Sequence, residues 1–156
     1  MIVGIIGSGG REHAICYKIK KSTLTTKIFC IPGNAGTSNI AENVNIKVND
    51  FKSIKNFCLN NKIELLIVGP EQPLVDGIVD YFENTNIKIF GPNKLSSKLE
   101  GSKIFTKKIC DKYNIPTAKF KIFKNINEIK KFLNEAQFPL VVKADGLAAG
   151  KGVYIC

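Results

Sequence analysis

The chain has 156 residues, 44% of them hydrophobic and 23% charged, which excludes a disordered or fibrous protein and allows one full core. No apolar run is long enough to span a bilayer, and the N-terminus lacks the basic-then-apolar layout of a secretory signal. The expected compartment is therefore cytoplasmic, with no membrane partner. The net charge of +10 would admit nucleic acid or polyanionic small molecules. Arg11 is the only arginine, however, and no arginine–aromatic interleaving occurs, so nucleic acid is not expected and most lysines read as general surface charge.

In chain order, Ile2 to Ile6 is a continuous apolar strand, followed by a glycine turn and a helical stretch from about Arg11 to Lys21. Lys27 to Ile31 is a second strand closed by Pro32-Gly33-Asn34, and Val44 to Val48 a short third. Phe51 to Asn60 is a helix N-capped by Asp50. Leu65 to Val68 is a buried strand closed by Gly69-Pro70, Leu74 to Glu83 a helix, and Ile87 to Phe90 a strand closed by Gly91-Pro92. Apolar strands alternating with amphipathic helices predict a doubly wound parallel sheet of α/β class. Beyond Pro92 the texture changes. Ser102 to Tyr113 reads as a helix capped at Ser102, Lys119 to Phe123 as a strand, and Ile126 to Asn134 as a helix. Pro139 to Lys143 and Val153 to Cys156 read as outgoing and returning strands. A boundary near Glu100-Gly101 divides domains at 1–100 and 101–156, the second being the start of an α+β unit cut off before it closes.

Five cysteines, at 16, 30, 58, 110 and 156, show no metal-ligand spacing, and His13 is the single histidine. Reduced, mostly buried thiols are expected, with no metal site inside the chain.

Gly7-Ser8-Gly9-Gly10-Arg11-Glu12 occupies the place of a dinucleotide fingerprint but puts Glu12 where the third glycine belongs. Strand two also ends without the acidic residue that would hold the ribose of a nicotinamide cofactor. The loop reads instead as an anion site at a helix N-terminus with Arg11 beside it, against the plainer alternative of a tight strand–helix turn. Three further loops leave the same sheet edge: Pro32-Gly33-Asn34-Ala35-Gly36-Thr37, Gly69-Pro70-Glu71-Gln72-Pro73-Leu74 and Gly91-Pro92-Asn93. Each alone is as consistent with turn chemistry. Together they outline a sugar-phosphate pocket.

The stretch Lys143-Ala144-Asp145-Gly146-Leu147-Ala148-Ala149-Gly150-Lys151-Gly152 joins the last two strands. Its glycines let backbone N–H groups approach phosphate oxygens while its lysines neutralise their charge. Lys143 ends an apolar strand, so its ammonium calls for a counter-ion. Lys103, in the first turn of a helix, is by itself an ordinary solvated lysine, but paired with Lys143 it could grip the phosphates of ATP.

Gly7-Ser8-Gly9-Gly10-Arg11-Glu12-His13-Ala14, Pro32-Gly33-Asn34-Ala35-Gly36-Thr37, Val68-Gly69-Pro70-Glu71, Glu100-Gly101-Ser102-Lys103 and the stretch from Lys143 to Gly152 resemble in order and spacing the glycinamide ribonucleotide synthetase family of the ATP-grasp superfamily. The resemblance covers the whole chain. It implies a pre-ATP-grasp, Rossmann-like first domain and the beginning of an ATP-grasp domain. It further implies ATP-dependent joining of glycine to 5-phosphoribosylamine through a glycyl phosphate. Lys103, Lys143 and the flap Asp145, Gly146, Leu147, Ala148, Ala149, Gly150, Lys151 and Gly152 would meet ATP. Gly9, Gly10, Arg11, Glu12, Asn34, Gly36, Thr37 and Glu71 would hold phosphoribosylamine. Mg²⁺ or Mn²⁺ is implied, with its ligands, the adenine pocket and the glycine site expected beyond Cys156. The catalytic residues are unassigned and the 156 residues are not expected to turn over alone. Alternatives are another ATP-grasp carboxylate–amine ligase, a non-catalytic sugar-phosphate or nucleotide-binding module, and an NAD-dependent oxidoreductase already disfavoured at strand two.

Overall fold

The computed structural model describes residues 1–148 and 150–156, which form two compact units, Met1–Ser97 and Lys98–Cys156. In the first, β1 (Ile2–Gly7), β2 (Lys27–Pro32), β3 (Glu42–Asn43), β4 (Leu65–Val68) and β5 (Lys88–Phe90) make one sheet in the order β3-β2-β1-β4-β5. Every pairing is parallel. A parallel sheet needs crossovers, and α1 (Gly10–Lys20), α2 (Phe51–Asn60), α3 (Glu71–Asp76) and α4 (Ile78–Tyr81) lie between its strands.

Both faces of the sheet are covered, which is why its strands read as unbroken apolar runs. Phe29, Ile31, Ile6, Leu66 and Val68 pack on one face with Ile54 and Cys58 of α2 and Ile78 of α4. Val3, Ile5, Ile28 and Cys30 pack on the other with Cys16 of α1. Phe29 meets Phe57 edge-on at 5.1 Å between centroids. Burial pushes the Cys58 thiol up to about 12. Cys16 and Cys30 are likewise buried, whereas Cys110 is partly exposed and Cys156 exposed.

The sheet departs from expectation at its edge and in one helix. The third strand is Glu42–Asn43, not Val44 to Val48. Val44, Ile46 and Val48 are partly buried against the core, so their apolar pattern reflects packing rather than a ladder. The helix expected from Leu74 starts earlier, at Glu71, because Pro73 sits in the first turn, where its missing N–H costs nothing. It then breaks at Gly77, whose φ of +98° ends α3 and opens α4.

A helix not foreseen, α5 (Lys94–Gly101), contains the division between the units. Its start is an Asx cap: the Asn93 side-chain oxygen accepts from Ser96 N at 2.9 Å.

The second unit holds α6 (Lys103–Lys112), α7 (Ile126–Leu133) and an antiparallel pair, β6 (Val141–Lys143) with β7 (Val153–Ile155). Ser102 caps α6 as expected, its hydroxyl accepting from Phe105 N at 3.0 Å. Asn125 caps α7 in the same way through Glu128 N. The strand expected over Lys119 to Phe123 does not form, since no neighbouring strand is hydrogen-bonded to it among the described residues. Its aromatic end is used for packing instead, Phe123 lying 5.2 Å from Phe132 of α7. No helix among the described residues is long and apolar enough to cross a membrane.

Phe29 carries much of the larger core. Phe29→Ala should lower unfolding free energy by about 3–5 kcal/mol, measured by urea denaturation, with the far-ultraviolet spectrum of the folded protein retained.

Candidate functional site

The C-terminal ends of β1, β2 and β4 form a rim at which the strand order reverses, β2 lying on one side of β1 and β4 on the other. In such sheets the crevice at this switch point is where ligands enter. β1 ends at Gly7, whose φ of +125° turns the chain sharply into Ser8 and Gly9 before α1 begins. A Cβ placed at Gly10 would meet nothing within 4 Å, so the first turn of α1 opens to solvent with its N–H groups and positive dipole end available.

Arg11 and Glu71 join the β1 and β4 loops across this rim. Arg11 Nη1 donates to Glu71 Oε1 at 2.8 Å and Nη2 to Oε2 at 3.2 Å, a bidentate pair. The hydrogen bond from Glu71, and then its charge, raises the Arg11 pKa. Glu71 is correspondingly held below the ordinary carboxylate range by the Arg11 hydrogen bond and by its own backbone N–H at the start of α3.

Asn34 ties the second loop to the first. Its amide donates to Ser8 O at 2.9 Å and Gly9 O at 3.3 Å, while its oxygen accepts from Gly36 N and Thr37 N at 2.7 and 2.9 Å. Asn43 donates to Asn34 O at 2.7 Å and its oxygen lies 2.7 Å from the Thr37 hydroxyl. The sequence gives no sign of Asn43, which stands in what reads as a featureless connection.

The rim thus brings Gly9, Gly10, Arg11, Asn34, Gly36 and Glu71 together but does not present all the residues expected there. Thr37 is fully buried and works inside its own turn. Glu12 is 3% exposed and faces inward, Oε2 accepting from Gly9 N at 2.6 Å. As placed, neither side chain touches the open face.

The second unit assembles the root of the glycine-rich loop. The Asp145 carboxylate accepts from Ile104 N at 3.1 Å and from the Ser102 hydroxyl at 3.0 Å, so it caps the start of α6 beside Ser102. Lys103 Nζ donates to Gly146 O at 2.7 Å. Desolvation disfavours the Asp145 charge, but the Ile104 N–H, the Ser102 hydroxyl and neighbouring backbone donors outweigh it and its pKa is lowered. Ala144 N donates to Gly152 O at 2.9 Å and Lys151 N to Ala148 O at 2.7 Å, closing the loop on itself.

Leu147 and Gly150 complete the described part of the loop, and Ala149 lies outside the described residues. The apolar strand that Lys143 ends is not a buried one: Val141 and Val142 are 55% and 43% exposed and Lys143 is exposed with them. Burial gives no reason to single it out; its place at the loop entrance does. No group of three or more His, Cys, Asp or Glu side chains among the described residues could hold a metal ion.

The family model described as phosphoribosylglycinamide synthetase, N domain, matches residues 1–100, and that for the ATP-grasp (A) domain of the same enzyme matches residues 101–156. A phosphoribosylamine–glycine ligase from Caldanaerobacter subterraneus is 56% identical over 99% of the chain, which covers 37% of that relative. The crystal structure of phosphoribosylamine–glycine ligase from Thermotoga maritima superposes with a TM-score of 0.75 at 33% identity, covering 99% of this chain and 36% of that one. An ADP complex of N5-carboxyaminoimidazole ribonucleotide synthetase shares the fold, with a TM-score of 0.74 at 21% identity over 99% of this chain and 40% of its own. The chain therefore spans little more than a third of the length of these relatives.

Replacing Arg11 by Met should return the Glu71 pKa upward toward its ordinary value, read by carbon NMR titration of the carboxyl. Because the folded-state value lies below the unfolded one, the pair's contribution to stability is present above the ordinary glutamate pKa. It fades as pH falls through the lowered value. At the other site, Asp145→Ala should speed amide hydrogen exchange at Ile104 selectively, leaving the amides of α1 unchanged.

Proposed function

The chain belongs to the phosphoribosylglycinamide synthetase family, and from that premise we propose that it serves the ATP-dependent joining of glycine to 5-phosphoribosylamine. In this reading ATP phosphorylates the glycine carboxylate, and the amine of phosphoribosylamine attacks the resulting glycyl phosphate with loss of inorganic phosphate. Such chemistry draws its rate from positioning and charge neutralisation. The observation that carries the proposal is the rim: an open helix N-terminus at Gly10 beside the Arg11–Glu71 pair. Backbone donors suit the phosphate, the carboxylate of Glu71 suits ribose hydroxyls or the amine, and Asn34 holds the two loops in place.

The second unit is the proposed nucleotide side. Lys103 and Lys143 with the loop Asp145 to Gly152 supply cations and N–H groups for the phosphates of ATP. ADP in the complex of the related ribonucleotide synthetase supports a nucleotide on this fold. Mg²⁺ or Mn²⁺ is the proposed companion of ATP, neutralising its phosphates. The small molecules phosphoribosylamine, glycine and ATP are the proposed partners, and the cytoplasm the proposed compartment. The domain division at residue 100 is proposed to separate the sugar-phosphate side from the nucleotide side.

Calorimetric titration tests both halves. Ribose 5-phosphate should bind the chain, and ATP should bind about tenfold or more weakly to Lys103→Ala, the loss expected for one charge-assisted hydrogen bond. NADH binding with no response to ribose 5-phosphate or ATP would overturn the proposal.

A further inference from the structure

We propose that Glu12 is a positioning residue of the rim, a buried carboxylate on which two separate turns are seated. The inference rests on the ribosyl-phosphate reading of the rim. Glycines from both turns close around this one side chain. A Cβ at Gly7 would lie 2.6 Å from Glu12 Cδ, and one at Gly9 2.9 Å from Oε2. A Cβ at Gly69, which belongs to the turn after β4, would overlap Oε1. At Gly9 and Gly69 the carboxylate occupies the space a side chain would need, and at Gly7 it adds to the demand already made by a φ of +125°. The departure from the dinucleotide fingerprint gains a cause: the third glycine of that motif lets helix and strand pack closely, whereas here position 12 carries the bulk and its neighbours give way.

Burying a carboxylate is costly unless its charge is compensated. Oε2 receives the short bond from Gly9 N at 2.6 Å. Oε1 is buried with no hydrogen-bond donor among the described residues, and the cation beside it is Arg11, with Nε 3.9 Å away. Arg11 is therefore held between two carboxylates, its terminal nitrogens on Glu71 and its Nε side toward Glu12. Through Gly9 N, Arg11 and Gly69, Glu12 fixes the anion-facing turn and the Glu71 turn relative to each other. It does so from behind the rim, without touching what binds there.

Glu12→Gln in the full chain keeps the shape and removes the charge. Backbone amide NMR of this variant should show Gly9 moving upfield, with Gly69 and Glu71 shifting as well and Ile104 and Gly146 unmoved. Ribose 5-phosphate affinity should fall about tenfold or more at a temperature where the variant is folded, with ATP affinity unchanged. A purely structural role would lower the melting temperature and leave that affinity intact. Shifts confined to Gly9, or wild-type affinity for ribose 5-phosphate, would overturn the assignment. If the wild-type chain itself ignores ribose 5-phosphate, the ribosyl-phosphate reading fails, and the amide shifts alone decide whether Glu12 couples the turns. Should Glu12→Gln not fold, Gly69→Ala applies the same test from the other side: the Gly9 amide and the Arg11 side-chain signal must move, and their staying put overturns the assignment.

Discussion

The register of β1 between β2 and β4 is the constraint from which the first unit is built. Ile6 stands opposite Ile31 on one side and Val68 on the other, and Gly7 opposite Pro32. Gly33 N then donates to Gly7 O and Gly69 N to Ile6 O, both at 3.1 Å. Three loops consequently emerge level with one another. A slip of one residue would send every side chain of β1 to the opposite face and break the meeting of Arg11 with Glu71.

Much of this was legible in the sequence because parallel strands buried on both faces leave an unmistakable mark. Ile2 to Ile6, Lys27 to Ile31 and Leu65 to Val68 were readable as strands, and Asp50 and Ser102 as caps, from local chemistry alone. What escaped reading depended on contacts distant in sequence. Val44 to Val48 looked like a strand because core packing imposes the same apolar alternation as a ladder. Lys119 to Phe123 had the composition of a strand but no partner beside it among the described residues. Glu12 and Thr37 were recognisable as polar residues in the right loops, yet Glu12 packs against Gly69, far along the chain, and Thr37 bonds Asn43 in a connection with no recognisable pattern. Lys143 was singled out for ending an apolar run, but that run is exposed.

The surplus of lysine is handled by aromatic side chains more than by carboxylates. Lys21 lies over Tyr17, Lys27 over Phe29, Lys55 over Tyr81 and Lys121 over Phe132, at 4.3 to 5.0 Å from the ring centroids. Side-chain ion pairs among the described residues are few: Arg11 with Glu12 and Glu71, and Lys27 with Glu42. The alkyl stems cover apolar surface while the ammonium groups stay in water. This accounts for a strongly basic chain without requiring a polyanionic partner.

The Arg11–Glu12–Glu71 group has a consequence for how the two halves of the molecule respond to ionic strength. Around it the charge is one guanidinium against two carboxylates, so the rim is locally acidic on a protein of net charge +10. An anion at the proposed ribosyl-phosphate site, beside Gly10, would gain little from long-range attraction and rely on short, directional N–H contacts, which salt barely screens. The proposed nucleotide loop, with its exposed Lys143 and Lys151, would be the reverse, its hold on phosphate weakening as salt rises. On the proposed function, one chain would thus combine a salt-tolerant anion site with a salt-sensitive one.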